Sequence, residues 1–302
     1  MSNWPSSLEK LRGTVGVWTF AGEWTPAQRS GEVALELESL GFSAMWIPEA
    51  WGREALTNAG LLLPATSSLV IATGIANIWA RDAVSAANAA RTLNAAYGDR
   101  FVLGLGVSHR PLVERLRGHN YATPLTAMRD YLTALDAAPM FAPEKDVPFA
   151  RVIAALGPKM LELGATNANG VHTYAVTPEH TAIARRAVGD AFIGVEQAIV
   201  LGQSREEFLR RAHGHLEAYT GLENYTNSWR RLGFGDDDFV RGGSVLLCDA
   251  LVVHGDEGDV LARIREHCDA GADHVCLQVL GDELTTAPLE DWRRLAPVVT
   301  AG

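Results

Sequence analysis

Apolar residues recur along this chain in short blocks of four to ten, and helical segments separate most of them. The blocks at 15–20, 44–47, 69–73, 101–105, 151–155 and 170–174 read as strands, with three more at 191–200, 250–253 and 274–280. Hydrophobicity within the blocks is nearly uniform, so both faces of each strand are covered, as in a parallel sheet. The helices carry their own boundary signals. One, at 83–97, is followed by Gly98. Another begins at Pro178. A third is read from Thr25-Pro26-Ala27-Gln28 to about residue 40, with Gly41 as its C′ glycine.

Strands alternating with helices predict an α/β fold with a parallel sheet. The count is eight strands plus one, with either 191–200 or 250–253 supernumerary. A single (β/α)8 TIM barrel over residues 1–302 is the first expectation, and a doubly wound open sheet the second. The helical, charged segment at about 204–243 is too long for an ordinary loop. It reads as an insertion that packs on the barrel or shapes its site.

In such folds the chemistry sits at the carboxyl ends of the strands. Four strand ends carry unusual residues. Strand 69–73 runs into Gly74, Ile75, Ala76 and Asn77. These suit a turn, or a kink where a planar ligand lies on the backbone. Strand 101–105 ends in Gly106, Val107, Ser108 and His109, which is no dinucleotide fingerprint because the third glycine is missing. Strand 151–155 ends in Ala155, Leu156 and Gly157. Pro158, Lys159 and Met160 then open a helix whose free N–H groups suit an anion. Strand 170–174 carries His172 and Tyr174 on one side. Trp18, Phe20, Trp46, Trp51 and Trp79 are core residues or the walls of a planar-ring pocket.

The formal charge of −10 argues against nucleic-acid or anionic-membrane binding. An anionic ligand therefore needs local cations, and Arg81, Arg110, Arg115 and Lys159 are candidates. No apolar run approaches a membrane span, and the first residues have no apolar leader, so a cytoplasmic location is expected. Cys248, Cys268 and Cys276 match no metal spacing and read as buried free thiols. No metal site is expected. Nucleophile-elbow, HExxH, Walker A and CxxC patterns are absent.

Taken in order, GFSAMWIPEAWGREAL, IATGIANIWARDAVSAANAARTL, DRFVLGLGVSH, AALGPKMLELGATNANGVHTYAVTPEHT and AGADHVCLQVL resemble the luciferase-like superfamily, in its F420-dependent oxidoreductase branch. The resemblance implies a barrel with an insertion and a deazaflavin, coenzyme F420, at its mouth. FMN is the alternative cofactor. It also implies a homodimer acting on a small-molecule substrate. Gly74-Ile75 matches the family's strand-three bulge, often a cis peptide, which backs the central ring. Ala76, Asn77, Gly106, Val107, Ser108 and His109 match the cofactor lining. Leu156, Gly157 and Pro158 match the backbone amides that hold its chain or phosphate, with Ala155, Lys159 and Met160 adjacent.

One departure stands out. Relatives often end strand two with an acid followed by a catalytic histidine, and here the pair is Glu49-Ala50. Glu49 or His109 is the candidate proton donor, with Asn77 near the reacting centre. Alternatively, solvent supplies the proton. Trp18, Phe20, Trp51 and His172 are the substrate-side candidates. The expected activity is hydride transfer between the deazaflavin C5 and a small organic substrate. The rivals are an FMN-dependent monooxygenase and a deazaflavin carrier without turnover.

Overall fold

The computed structural model describes residues 4–50, 52–283 and 286–300. Trp51, one of the substrate-side candidates, lies outside them. The strands are β1 (Thr14–Trp18), β2 (Ala44–Ile47), β3 (Val70–Thr73), β4 (Ala76–Asn77), β5 (Phe101–Gly106), β6 (Ala150–Ala154), β7 (Gly170–Thr173), β8 (Phe192–Leu201), β9 (Val252–Gly255) and β10 (His274–Val279). All the pairings are parallel. The order β1-β2-β3-β5-β6-β7-β8 closes through β10 back onto β1, giving an eight-stranded barrel. β4 continues β3 after an interruption and pairs with β5.

The surplus strand is thereby settled. β8 is ten residues long. Its first part, Phe192 to Val195, pairs with β7, and its last part, Ala198 to Leu201, pairs with β9. β9 thus extends the wall beyond the point where β7 stops, and β8 is the barrel strand.

Two-residue periodicity sorts the side chains. Trp18, Trp46, Ala72, Val102, Val152 and Phe192 fill the barrel interior with Cys276. Val17, Met45, Ile71, Leu103, Ile153 and Val195 pack outward against the helices. Leu8 and Leu11, from the segment at Ser6–Glu9, join the interior cluster. A separate core forms where Phe208, Leu216, Trp229, Leu247 and Leu251, between β8 and β9, pack with Ala198 and Val200 of β8.

Helix Ala83–Tyr97 starts at Asp82, whose side chain accepts from Ser85 N–H, and stops at Gly98 with φ of 68°. The helix read from Thr25 begins later. Residues Ala27–Arg29 form a 3-10 turn, and the α-helix spans Ser30–Ser39. Thr25 does not cap it, because its hydroxyl donates back to Ala21 O at 2.7 Å in the preceding turn. Cys248 and Cys276 are buried free thiols, but Cys268 is exposed near the solvent side of helix Glu257–Asp269. Among the described residues no helix is long and apolar enough to cross a membrane.

Candidate active site

At the carboxyl end of β3 the backbone leaves the ladder. Gly74 N–H still donates to Ile47 O at 2.7 Å, and the Gly74-Ile75 peptide is cis. Pairing with β5 resumes at Ala76 opposite Leu105. Trp18 supports the bulge from below, its indole N–H donating to Gly74 O at 2.8 Å. The Ile75 side chain lies over Gly106, where a Cβ would overlap it. A side chain at position 106 fits only if Ile75 gives way.

Ile75 forms one wall of a mouth cavity of about 350 Å³. Gly106, Val107, Ser108 and His109 from the end of β5 form the next wall. Ala155, Leu156, Gly157 and Met160 form the end leading into helix Pro158–Asn167. The cover comes from the segment between β8 and β9. Helix Glu223–Arg230 brings Asn224, Tyr225 and Asn227, and Arg231 follows it. The Arg231 guanidinium donates to Leu156 O at 3.1 Å, which sets a cation beside the amide end of the Pro158 helix.

The four cations picked out along the chain do not form a track. Arg81 is buried in ion pairs with Glu49 and Glu54, and Arg110 is paired with Glu114. Lys159 and Pro158 are exposed, and with Arg115 they are absent from the cavity wall. Arg231 takes that place. No motif marks it, and only the long inserted segment pointed toward it.

The remaining candidates divide by depth. Gly74, Ala76 and Asn77 lie behind Ile75, buried, and the Asn77 amide oxygen accepts from Trp79 N–H at 2.9 Å. Glu49 is turned away from the cavity. Its oxygens accept from Asn77 N–H at 2.7 Å and Ala55 N–H at 3.2 Å, and it is paired with Arg81. That is a correction to its candidacy as proton donor, since both oxygens are committed as acceptors.

Trp18 is buried and meets Phe20 edge-on, with ring centroids 5.0 Å apart; neither residue lines the cavity. His172 lies at the cavity base but is only 2% exposed, stacked on Trp46 at 4.4 Å. Its packing belongs to the barrel interior, and burial pushes its imidazole down to about 3. Tyr174, on the same side, is the more open of the two.

His109 faces Tyr225 across 5.8 Å, and burial holds its imidazole below the ordinary 6.5. It is therefore neutral at pH 7. Behind this wall runs a hydroxyl chain. Tyr219 OH donates to Tyr174 OH at 3.0 Å, and Tyr174 OH donates to Gln278 Oε1 at 2.7 Å. Below it Glu196, on the inner face of β8, is 1% exposed. One of its oxygens accepts from Ala175 N–H at 3.0 Å, and the other has no partner among the described residues. Burial pushes this carboxyl up to about 8, so it is protonated at neutral pH. The chain pattern gave no signal for Glu196, because its strand reads as an apolar run.

A closed parallel barrel with its cavity at the strand carboxyl ends, covered by the helical segment between β8 and β9, is a (β/α)8 barrel. The chain belongs to the luciferase-like monooxygenase family, whose model matches residues 11–274. A Mycobacterium tuberculosis protein assigned by name as a coenzyme F420-dependent oxidoreductase is 34% identical over 113 residues, 37% of this chain. The 5,10-methylenetetrahydromethanopterin reductase of Methanolobus tindarius is 27% identical over 192 residues, 56% of this chain. The chain spans 33% of the first relative's length and 58% of the second's. Among solved structures, an F420-dependent secondary alcohol dehydrogenase in complex with an F420–acetone adduct superposes with a TM-score of 0.73 at 14% identity, covering 95% of this chain and 98% of that one. The FMN-bound oxygenating constituent of 3,6-diketocamphane monooxygenase from Pseudomonas putida superposes with 0.67 at 13% identity, covering 95% and 96%. At such identities the likeness is one of fold.

Proposed function

We propose that this protein is an F420-dependent oxidoreductase that moves a hydride between the deazaflavin C5 and a small organic substrate. The observation that carries the reading is the shape and polarity of the mouth cavity. Ile75 and Val107 offer apolar surface suited to a planar ring. The far end offers the amide terminus at Gly157 and the Arg231 guanidinium, suited to an anionic tail. This continuity from an apolar slot to a cationic end fits a ring carrying a phosphodiester chain. The deazaflavin, when bound, supplies the hydride chemistry.

The chain's own residues bind, orient and exclude water. Ile75 is held by the bulge to back the ring, and Tyr225 closes the opposite side under the inserted helix. Neutral His109 offers a hydrogen bond rather than a charge at this wall. Glu49 does not supply the proton, since its oxygens are engaged elsewhere. Tyr174 lines the cavity and belongs to the Tyr219–Tyr174–Gln278 chain, while buried, protonated Glu196 lies outside the lining.

The test is a titration of the purified protein with deazaflavin coenzyme and with FMN, followed by tryptophan quenching. Trp79 reports on the site because its indole N–H donates to Val107 O at 3.0 Å. Binding of F420 in the low micromolar range, about 8 kcal/mol, with FMN at least about tenfold weaker, is the expected result. Preference for FMN would move the assignment to a monooxygenase. Tight deazaflavin binding without turnover across a substrate screen would favour a carrier. Binding of neither would sink the reading.

A further inference from the structure

β2 pairs with β3 only as far as Ile47 opposite Thr73. Beyond that point β4 keeps β5 on one side and, among the described residues, has no strand on the other. Two side chains fill the vacant edge. Glu49 accepts the Asn77 N–H at 2.7 Å, and Arg81 donates to the Asn77 carbonyl at 3.2 Å. The Asn77 N–H is thus met by the Glu49 carboxylate where a neighbouring strand would supply a carbonyl, and the Asn77 carbonyl is shared between Arg81 and the Ala80 N–H at 3.1 Å.

The pair is itself anchored. The Glu49 side chain is 4% exposed and that of Arg81 8%. Glu49 also accepts from Ala55 N–H, at the first turn of helix Ala55–Leu62. Arg81 reaches Glu54 at 2.6 Å, and Glu54 caps the same helix through Leu56 and Thr57. The edge of β4 is thus tied to a rigid helix end.

We propose that Glu49 and Arg81 act together as a side-chain substitute for the missing strand, holding the Asn77 peptide and, two residues back, the Ile75 surface. Glu49 is then a positioning residue for the cofactor-bearing bulge. This role rests on the deazaflavin reading only where Ile75 is said to back the ring; the mechanical part stands without it. A buried carboxylate paired to a guanidinium loses its worth when one partner is removed, because the other is left uncompensated.

The experiment is amide hydrogen exchange over residues 74–79 of the full-length protein without cofactor, combined with deazaflavin titration. The variants are Glu49→Gln, Arg81→Met, Arg81→Lys and the double E49Q/R81M. Exchange over 74–79 is expected to rise about tenfold or more in E49Q and R81M, while exchange over residues 192–201 of β8 stays at the wild-type rate. Deazaflavin affinity should fall by about tenfold in each, and the double variant should be no worse than the poorer single, as for coupled partners. R81K keeps the charge but loses the fork, so it should lie between wild type and R81M.

Unchanged exchange over 74–79 in R81M and E49Q would overturn the proposal. Uniformly raised exchange across both segments would overturn it too, since it would mark a general loss of stability. E49Q with wild-type exchange and affinity but no turnover would return Glu49 to the role of proton donor. Wild-type protein that binds no deazaflavin would sink the functional reading alone, leaving the exchange data to decide the clamp. If E49Q does not fold, R81K and R81M carry the same test.

Discussion

Thr73 and Gly104 exchange two hydrogen bonds through one hydroxyl. Thr73 Oγ1 donates to Gly104 O at 2.7 Å and accepts from Gly104 N–H at 2.8 Å. The β3 backbone is turning away here, between its pairing at Ala72 and the resumed pairing at Ala76. A side chain therefore satisfies the main-chain groups of β5 that the ladder misses. A Cβ on Gly104 would overlap the Thr73 carbonyl oxygen, so the close approach requires glycine.

This relationship sets a stability expectation. Thr73→Val keeps the shape and leaves a buried N–H and a buried C=O without partners, each worth about 1–3 kcal/mol. A loss of roughly 2–6 kcal/mol in denaturant unfolding is expected, with Thr73→Ser close to wild type. If T73V unfolds at the wild-type midpoint, the hydroxyl is not bridging the gap.

Gly106 tests the cavity. In Gly106→Ala the new methyl meets the outer carbons of the Ile75 side chain and lies 3.5 Å from the Ala154 Cβ. Ile75 can yield by turning into the cavity, so the fold should survive with a loss of about 1–3 kcal/mol. Ring binding should suffer as well, by at least about tenfold in deazaflavin affinity, or about 1.4 kcal/mol. Wild-type affinity with the expected loss of stability would place the ring elsewhere.

Glu196 gives a pH signature. In the unfolded chain its carboxyl ionises near 4.5, and in the folded protein it keeps its proton up to about 8. The folded state binds the extra proton across this window, so the group lowers stability as pH rises from about 4.5 to 8, and the effect levels off above. Glu196→Gln has no such term. Its melting temperature relative to wild type should climb between pH 5 and pH 8, by about 2–4 °C for each kcal/mol gained. A difference that stays constant over that range would mean that Glu196 does not titrate within it.

Much of the architecture is written in local patterns. Helix Pro178–Val188 lies between Thr177, which caps it through His180 N–H, and Gly189. Helix Ala83–Tyr97 lies between Asp82 and Gly98. Each boundary depends on residues within one turn, so the order of amino acids suffices. The strand ends at Gly74, Gly106 and Gly157 are legible for the same reason, and alternation with helices then leads to a closed barrel. The resemblance supplies the expectation of a bulge and a cofactor.

Contacts made far along the chain decide the rest. Residues 191–200 and 250–253 look alike as apolar runs; which one closes the barrel depends on hydrogen bonds to β7 and β10, and the long β8 has both. Glu49 reads as a free acid until Arg81, 32 positions later, and the Asn77 N–H occupy it. Arg231 gains its meaning only when the inserted segment folds over Leu156, 75 positions away. Glu196 is exceptional because its strand register points it into a closed interior with one backbone partner, and desolvation then raises its carboxyl. Periodicity and caps are local and survive in the sequence. Burial, ion pairing and cavity walls are relations between distant segments, and only the folded chain brings them together.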